Sequence, residues 1–419
     1  MQQTVWRAVA FIAMAAIVVF PGAAEAGSRS GQISGVSGQA GSKTTASKNQ
    51  SKPKTTIKFS PEYQNANQIG KFAEVISTRR VAIGSSHIHL HRPEMHAMEP
   101  LPKGANFIRA KTLWEIGLHI AGNPATPYGG NRDMVIAVGS GSGPAFRPWL
   151  RLATGSAILA EQVANGDGIE LAFVNPSALL TQAYRGVGLF STPLPVRIVA
   201  VYPSWDRFVF MVHPRTGIRS LADIKAKRYP LRVSVREDPT HSTHVLIDQA
   251  FALHGFALKD IESWGGRLLL CGGPSDPRRL EALARDELDA VFDEGIKVWL
   301  DEALAAGLSP IELEATEFAT MARLGWRKVC LPKARFPRLQ QDIDTLDFSG
   351  WPIYANASLP EQVAYDICGA LAAREAEIPW EKGTGGTALH MGRESESTPM
   401  DVPLHPGAER WYREHGANS

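Results

Sequence analysis

From residue 79 to residue 292 the chain alternates strand-like and helix-like stretches, and no other feature narrows its fold so far. The strand-like pieces in the first half are "RRVAIG" (79–84), "DMVIAVG" (133–139), "IELAFV" (169–174) and "VRIVAVY" (196–202). Between them lie "IRAKTLWEIGLHIAG" (108–122), "TGSAILAEQVANG" (154–166) and "SALLTQAYRG" (177–186), each spaced like a helix and closed by glycine. The rhythm then repeats. "RFVFMVH" (207–213), "LRVSV" (231–235) and "DAVF" (289–292) read as strands. "SLADIKAKR" (220–228), "STHVLIDQAFALHG" (242–255) and "PRRLEALARDEL" (277–288) read as helices, the last opening with proline. Strand, helix, strand in this order predicts an α/β fold with parallel sheets covered on both faces. Two runs of it predict two lobes.

The ends of the chain add an address. Arg7 precedes the 13-residue apolar run "AVAFIAMAAIVVF" (8–20), then Pro21-Gly22 and the small residues "AEA" (24–26). This pattern is that of a secretory signal peptide over residues 1–26, with an uncleaved anchor as the alternative; a membrane span needs about 20 apolar residues. Residues 27–70 are a Ser/Gly/Lys-rich linker in their first part, with no acidic or aromatic residue from Gly27 to Thr56. Of the 419 residues, 44 are Lys or Arg and 42 are Asp or Glu, a net of 44 − 42 = +2. That balance gives no reason to expect nucleic acid as a partner. Three cysteines (Cys271, Cys330, Cys368) are too few for a disulfide framework; one bridge or three free thiols are both open.

In open α/β sheets ligands bind beyond the carboxyl ends of strands, where helix N-termini present free N–H groups. Four loops hold that position. "GSGSGP" (139–144) is glycine-rich but lacks the spacing of a dinucleotide fingerprint. "ATGS" (153–156), "NPS" (175–177) and "DPTHST" (238–243) offer hydroxyls and amides that suit a small anion without a metal. Each taken alone is equally a helix cap. Asp293 and Glu294 follow a strand in the second half, as ligand-facing carboxylates or a solvated turn. Trp205, Asp206 and Arg207 sit where one lobe passes to the other, and Arg207 is there for a ligand carboxylate or for an ion pair at a hinge. No nucleophile elbow, no H-E-x-x-H and no C-x-x-C occurs. In "SSHIHLHRPEMH" (85–96), His87, His89 and His91 alternate on one face of an extended segment. They are metal candidates, but a surface loop is the better reading, and no cofactor is called for.

Several runs together carry a resemblance. "HPRTGIRSLADIKAKRYPLRVSV" (213–235), "ATGSAILAEQVANGDGIELAFVNPSALLTQAY" (153–184), "ARDELDAVF" (284–292) and "VPLHPGAERWYREHG" (402–416) are similar, in order and spacing, to segments of bacterial periplasmic solute receptors. The last resembles the ending of TAXI-type receptors of TRAP transporters. The resemblance implies a two-lobed type II periplasmic binding protein fold, each lobe a mostly parallel sheet flanked by helices, with the cleft between lobes. It implies residues 71–204 with 310–419 as lobe 1 and 205–309 as lobe 2, hinged near Tyr202–Asp206 and near Pro310. It also implies a non-enzymatic, monomeric, periplasmic receptor that captures a small carboxylate or amino acid for a TRAP-type permease. Ligand contacts carried over by position are Ser85 and Ser86, Thr154, Gly155 and Ser156, Asn175 and Ser177, Thr240, His241, Ser242 and Thr243, and Asp293. Departures at Thr240–Thr243 and at Asp293-Glu294 bear on the ligand and not on the fold. The alternatives are a receptor for an ATP-driven importer or a sensor, a secreted enzyme with His241 or Asp293 as base, and metal capture by the histidine loop.

Overall fold

The computed structural model describes residues 75–78, 81–82, 85–86, 112, 135–140, 147–154, 157, 159–166, 168–237, 241–381, 383–384 and 386–416. Residues 1–26 and 27–70, expected as signal peptide and linker, and His87, His89, His91, Gly155, Ser156 and Thr240 fall outside the described residues. For Ser85, Ser86 and Thr154 only the strand backbone is described.

In chain order the strands are β1 (Val75–Thr78), β2 (Val81–Ala82), β3 (Ser85–Ser86), β4 (Val135–Ser140), β5 (Arg147–Thr154), β6 (Leu171–Phe173), β7 (Val196–Tyr202), β8 (Arg207–Val212), β9 (Arg232–Arg236), β10 (Arg267–Cys271), β11 (Ala290–Glu294), β12 (Ser309–Pro310), β13 (Lys328–Leu331), β14 (Ile343–Asp347) and β15 (Trp351–Asn356). They build two main sheets. The first has the order β1-β4-β5-β6-β15-β7, and the second β10-β9-β11-β8-β14-β13 with β12 also on β8. The short β2 and β3 pair with each other.

The chain passes from the first sheet to the second between β7 and β8, and returns between β14 and β15. This fixes the α/β class and the two-sheet architecture. Two details differ from expectation. The return is expected near Pro310, but β12, β13 and β14 all belong to the second sheet, so its strands run on to Asp347. The sheets are also mixed and not mostly parallel. β5-β6, β9-β10 and β9-β11 are parallel, whereas β15 enters antiparallel between β6 and β7, and β8 lies antiparallel to β11, β12 and β14. The returning strand comes from the far sheet without a covering helix, so it runs against its neighbours.

The central strands are apolar along their whole length because both faces are covered. Every residue of β8 is buried, as are the first five of β15. One core cluster joins the two sheets, from Ile198 and Phe208 to Phe251 and Trp326. A second packs the far side of the first sheet under the helices Glu361–Ala373 and Pro406–Glu414. A third packs the second sheet under Lys297–Ala305 around Trp299. Helix ends follow the sequence signals. The Ser220 side chain accepts from Asp223 N at 3.2 Å to open Leu221–Lys227, Pro277 opens Pro277–Ala284, and Gly186 at φ 66° closes Ser177–Arg185.

Gly350 sits in the return crossing at φ 73°, where a Cβ would lie 2.5 Å from Ser177 Oγ and 2.6 Å from Pro399 Cδ. Gly350→Ala therefore combines left-handed strain with overlap and costs about 1–3 kcal/mol. A urea unfolding midpoint equal to wild type would show that this crossing is not packed as described.

Candidate functional site

The two crossings are tied together. Phe348 N donates to Asp206 O at 3.1 Å, and Gly350 N to Ser204 O at 3.1 Å. Asp206 N donates to Ser349 Oγ at 3.0 Å, and that hydroxyl donates to Asp206 O at 2.8 Å. Arg207 is 2 % exposed and spends its donors here. Its Nη1 reaches Asp347 Oδ1 at 2.9 Å and Ser349 Oγ at 2.6 Å, and its Nε donates to Cys330 O at 3.1 Å. Of the two readings open for Arg207, the structure shows the ion pair at the crossing.

Beside the crossings lies a cavity of about 390 Å³. It is lined by Trp205 and Arg335 and, from the chain after β15, by Glu381, Gly383, Thr384, His390, Ser395, Glu396 and Ser397. Two guanidiniums lie over the Trp205 ring, with Arg207 Cζ 4.3 Å and Arg335 Cζ 4.1 Å from its centroid. Its Nε1 donates to Glu396 Oε2 at 3.3 Å, and that carboxylate lies 3.6 Å from Arg207 Nη2. Tyr202 stacks on Trp351 and Trp380 at centroid distances of 4.9 and 5.5 Å. The Tyr202 hydroxyl donates to Pro379 O at 2.6 Å and accepts from Glu381 N at 2.9 Å, which sets Glu381 at the cavity. His390 Nε2 lies 3.0 Å from Ser395 Oγ.

Two carboxyls here hold protons unusually well. Burial, then repulsion from Glu381, pushes Asp206 up to about 7, against the Ser204 hydroxyl bond and the charges of Arg335 and Arg207. Burial and the charge of Glu294 push Glu381 up to about 7, against its bond from Ser204 and the charge of Arg335.

Asp293, expected to face a ligand, lies elsewhere. It is fully buried at the end of β11, between Arg236, whose Nε donates to Oδ1 at 2.7 Å, and Arg279, which takes Oδ2. Burial alone would raise it, but Arg236 and Arg279 outweigh that and hold it at about 2. Here its oxygens are taken up by the two arginines. The neighbouring Glu294 accepts from Arg236 Nη2 at 2.6 Å. The buried arginines explain the two adjacent acids, and nothing in the local sequence hints at them because the partners lie on separate elements.

The remaining sequence candidates divide. Trp205 lines the cavity. His241 caps the helix Ser242–Ala252, its Nδ1 accepting from Thr243 N at 3.3 Å and lying 3.0 Å from Thr243 Oγ1, while Ser242 and Thr243 are buried. That geometry is a helix cap. Asn175 Oδ1 and Ser177 Oγ are buried without a hydrogen-bond partner among the described residues. Ser177 borders a void of about 10 Å³ with Asp347, Ser349 and Asp401, room for no more than a water. Arg335, Glu381, Glu396, His390 and the serines escape sequence reasoning. The only trace of them in the sequence is a pair of polar runs, "GTGGT" (383–387) and "ESES" (394–397), interrupting apolar chain. Among the described residues there is no group of three or more His, Cys, Asp or Glu side chains arranged to hold a metal, no helix is long and apolar enough to cross a membrane, and all three cysteines are free.

No family model matches the chain. Solved structures similar to it include one described as a periplasmic transporter, at 16% identity over 75% of this chain and 89% of that one, with a TM-score of 0.31. A Trichodesmium protein in complex with iron and citrate ligands matches at 12% identity over 62% of this chain and 86% of its own, with a TM-score of 0.28. Lactococcal OpuAC, closed on glycine betaine, matches at 12% identity over 62% and 81%, also at 0.28. Likeness this distant carries no argument about ligand or mechanism, and the fold stands on the strand order and the two crossings themselves.

Proposed function

We propose that the chain is an extracytoplasmic receptor that captures a small organic acid between two lobes and delivers it to a TRAP-type membrane permease. The observation that carries this reading is the polar cavity of about 390 Å³ lined by Trp205 of the outgoing crossing. A volume of that size suits a small solute. Its lining comes from Trp205 and Arg335 and from the chain after β15, and a bound solute stabilises the closed form through a hinge at residues 203–206 and 348–350. The choice of permease and the periplasmic address rest on the resemblance of residues 402–416 and on the apolar N-terminus. The receptor acts as a monomer; the cavity does hold one histidine–hydroxyl pair, His390 Nε2 3.0 Å from Ser395 Oγ, so turnover is tested beside binding. Of the two residues offered by the sequence as an enzyme's base, His241 or Asp293, Asp293 is held by arginines and His241 caps a helix.

A thermal-shift panel on the chain without residues 1–26 tests this. It holds monocarboxylates, dicarboxylates, amino acids, sugars and inorganic anions, and each mixture is analysed for turnover afterwards. One class raises Tm by several degrees with no product formed; a ligand at 100 times its Kd contributes about 2.7 kcal/mol. Turnover of any panel compound, or no shift from any class, contradicts the reading.

A further inference from the structure

Two carboxyls at the outgoing crossing share one hydroxyl. Ser204 is fully buried there, its N–H donating to Ser397 O at 3.0 Å and its carbonyl accepting from Gly350 N at 3.1 Å. Its hydroxyl donates to Asp206 Oδ2 at 2.7 Å and is also within bonding reach of the Glu381 carboxyl. A serine hydroxyl has one proton to give. Given to Asp206, it leaves the link to Glu381 to be made by a protonated Glu381 donating to Ser204 Oγ. Given to Glu381, the roles reverse. In either arrangement both links stand only while one carboxyl keeps a proton. Neither carboxyl has an ion-pair partner among the described residues, and Arg207, next in the chain, turns to Asp347 and Glu396. The charged and titratable groups that face Asp206 are Glu381, Arg335, Arg207 and, from the end of β9, Arg236. Those that face Glu381 are Glu294 of β11, Arg335 and the Tyr202 phenol. Glu396 and His390 line the same cavity. Asp206 is sealed in the crossing at 8 % exposed, whereas Glu381 opens on the cavity.

We propose that Glu381, Ser204 and Asp206 form a relay that holds one proton between two carboxyls, and that capture of an anionic solute in the cavity is linked to uptake of a further proton by the pair. The linkage to capture rests on the receptor reading above and deepens it; the relay stands without it. A proton from solvent reaches Glu381 through the cavity. Glu381 passes it to Ser204 Oγ while the Ser204 hydroxyl proton moves to Asp206, so one proton moves inward and the serine is unchanged. An anion in the cavity adds a further negative charge beside Glu381, which favours the protonated pair, so binding draws a proton in. The sign of the pH dependence follows. Affinity for an anion falls as pH rises through the range in which the carboxyls of the empty receptor ionise, about 7 for each of them.

The relay is tested on the protein alone. Fluorine NMR of the chain labelled with 5-fluorotryptophan follows Trp205, the residue between Ser204 and Asp206, from about pH 5 to about pH 9, its signal identified by its loss in Trp205→Phe. The wild-type signal moves with a midpoint near 7. Glu381→Gln lowers that midpoint by roughly one pH unit, because Asp206 no longer faces a second carboxyl. Asp206→Asn with Glu381→Gln removes the step, and His390→Gln leaves it in place. A midpoint unmoved in Glu381→Gln, or a step lost in His390→Gln, overturns the relay. Calorimetric titrations with pyruvate, succinate and glutamate, each near pH 7 in HEPES and in Tris, test the linkage, because the heats in the two buffers differ by the protons taken up. The compound that binds takes up roughly half to one proton, and its Kd rises roughly five- to tenfold from about pH 6.5 to about pH 8. A heat independent of buffer, or a Kd independent of pH, overturns the linkage and leaves the receptor reading intact. Binding by none of the three counts against the receptor reading and takes the linkage with it, while the relay is still decided by the Trp205 signal.

Discussion

Asp293→Ala lowers the unfolding free energy by about 3–5 kcal/mol, among the largest losses available to a single substitution in this chain. The residue is fully buried, and it is the shared counter-charge of two buried arginines. Arg279 is itself fully buried, lies 5.6 Å from the Trp299 ring, and donates from Nε to Ser234 Oγ at 2.9 Å. Truncating the carboxylate leaves two guanidiniums in the interior with Glu294 as the remaining partner of one of them. The cost is the stranded charge and not the worth of the pair. Urea denaturation checks it. A wild-type midpoint combined with lost ligand binding would return Asp293 to the role its place at a strand end suggests. The same substitution thus separates a structural from a ligand-facing carboxylate.

Stability falls as pH rises from about 4 to about 7, and Asp206→Asn removes a large part of that slope. In the unfolded chain both Asp206 and Glu381 ionise near 4. In the folded chain burial, together with Glu381 for Asp206 and Glu294 for Glu381, keeps them protonated to about 7. Their contribution is fully present below pH 4. It shrinks through the window in which only the unfolded state has lost its protons, and it is gone above about 7. A tenfold difference in proton affinity between the two states is worth about 1.4 kcal/mol, so the loss is on the order of a few kcal/mol, with Asp206 the larger share because Glu381 is half-buried at the cavity wall. Other groups add slopes of either sign: Asp366 is raised to about 6 by burial, and Asp289 is held at about 2 by Arg232 and Arg215 against its burial. The difference between wild type and Asp206→Asn reports Asp206 together with its coupling to Glu381. Parallel pH profiles for the two proteins would show that Asp206 ionises normally.

The elements legible in the sequence are those whose local chemistry and tertiary surroundings agree. β7 and β8 read as strands because both faces are buried, and Ser220, Pro277 and Gly186 mark helix ends at which they act. β15 is not legible. Proline in a strand argues for an edge, yet Pro352 lies in a central strand, paired with Val201 on one side while its carbonyl accepts from Val174 N at 3.1 Å on the other. β14 carries Asp344 and Asp347, and its acidity hides a strand whose last aspartate serves Arg207. With β13 to β15 hidden, the return crossing falls too early, at Pro310. β5 is hidden because "ATGS" reads as the start of a helix, although Thr154 is still strand.

The site divides along the same line. Trp205 and Arg207 are legible because the outgoing crossing follows directly from the alternation of elements. Arg335, Glu381 and the segment 390–397 are not, because they lie in connections without periodicity, and only the return of the chain brings them to Trp205. His241 and Asp293 are ambiguous in the sequence for one reason: a polar residue at a strand end or helix start has the same local pattern whether it meets a ligand, a backbone amide or a buried arginine.

The most direct test of the central claim, that a small solute binds against the crossings, is a fluorine NMR titration of the chain labelled with 5-fluorotryptophan. The Trp205 signal is assigned by its loss in Trp205→Phe, and pools of the compound panel are added in turn. One pool shifts the Trp205 signal saturably at one equivalent and leaves buried Trp299 and Trp326 unmoved. A ligand that raises Tm and leaves the Trp205 signal in place would put the binding site elsewhere and contradict the account.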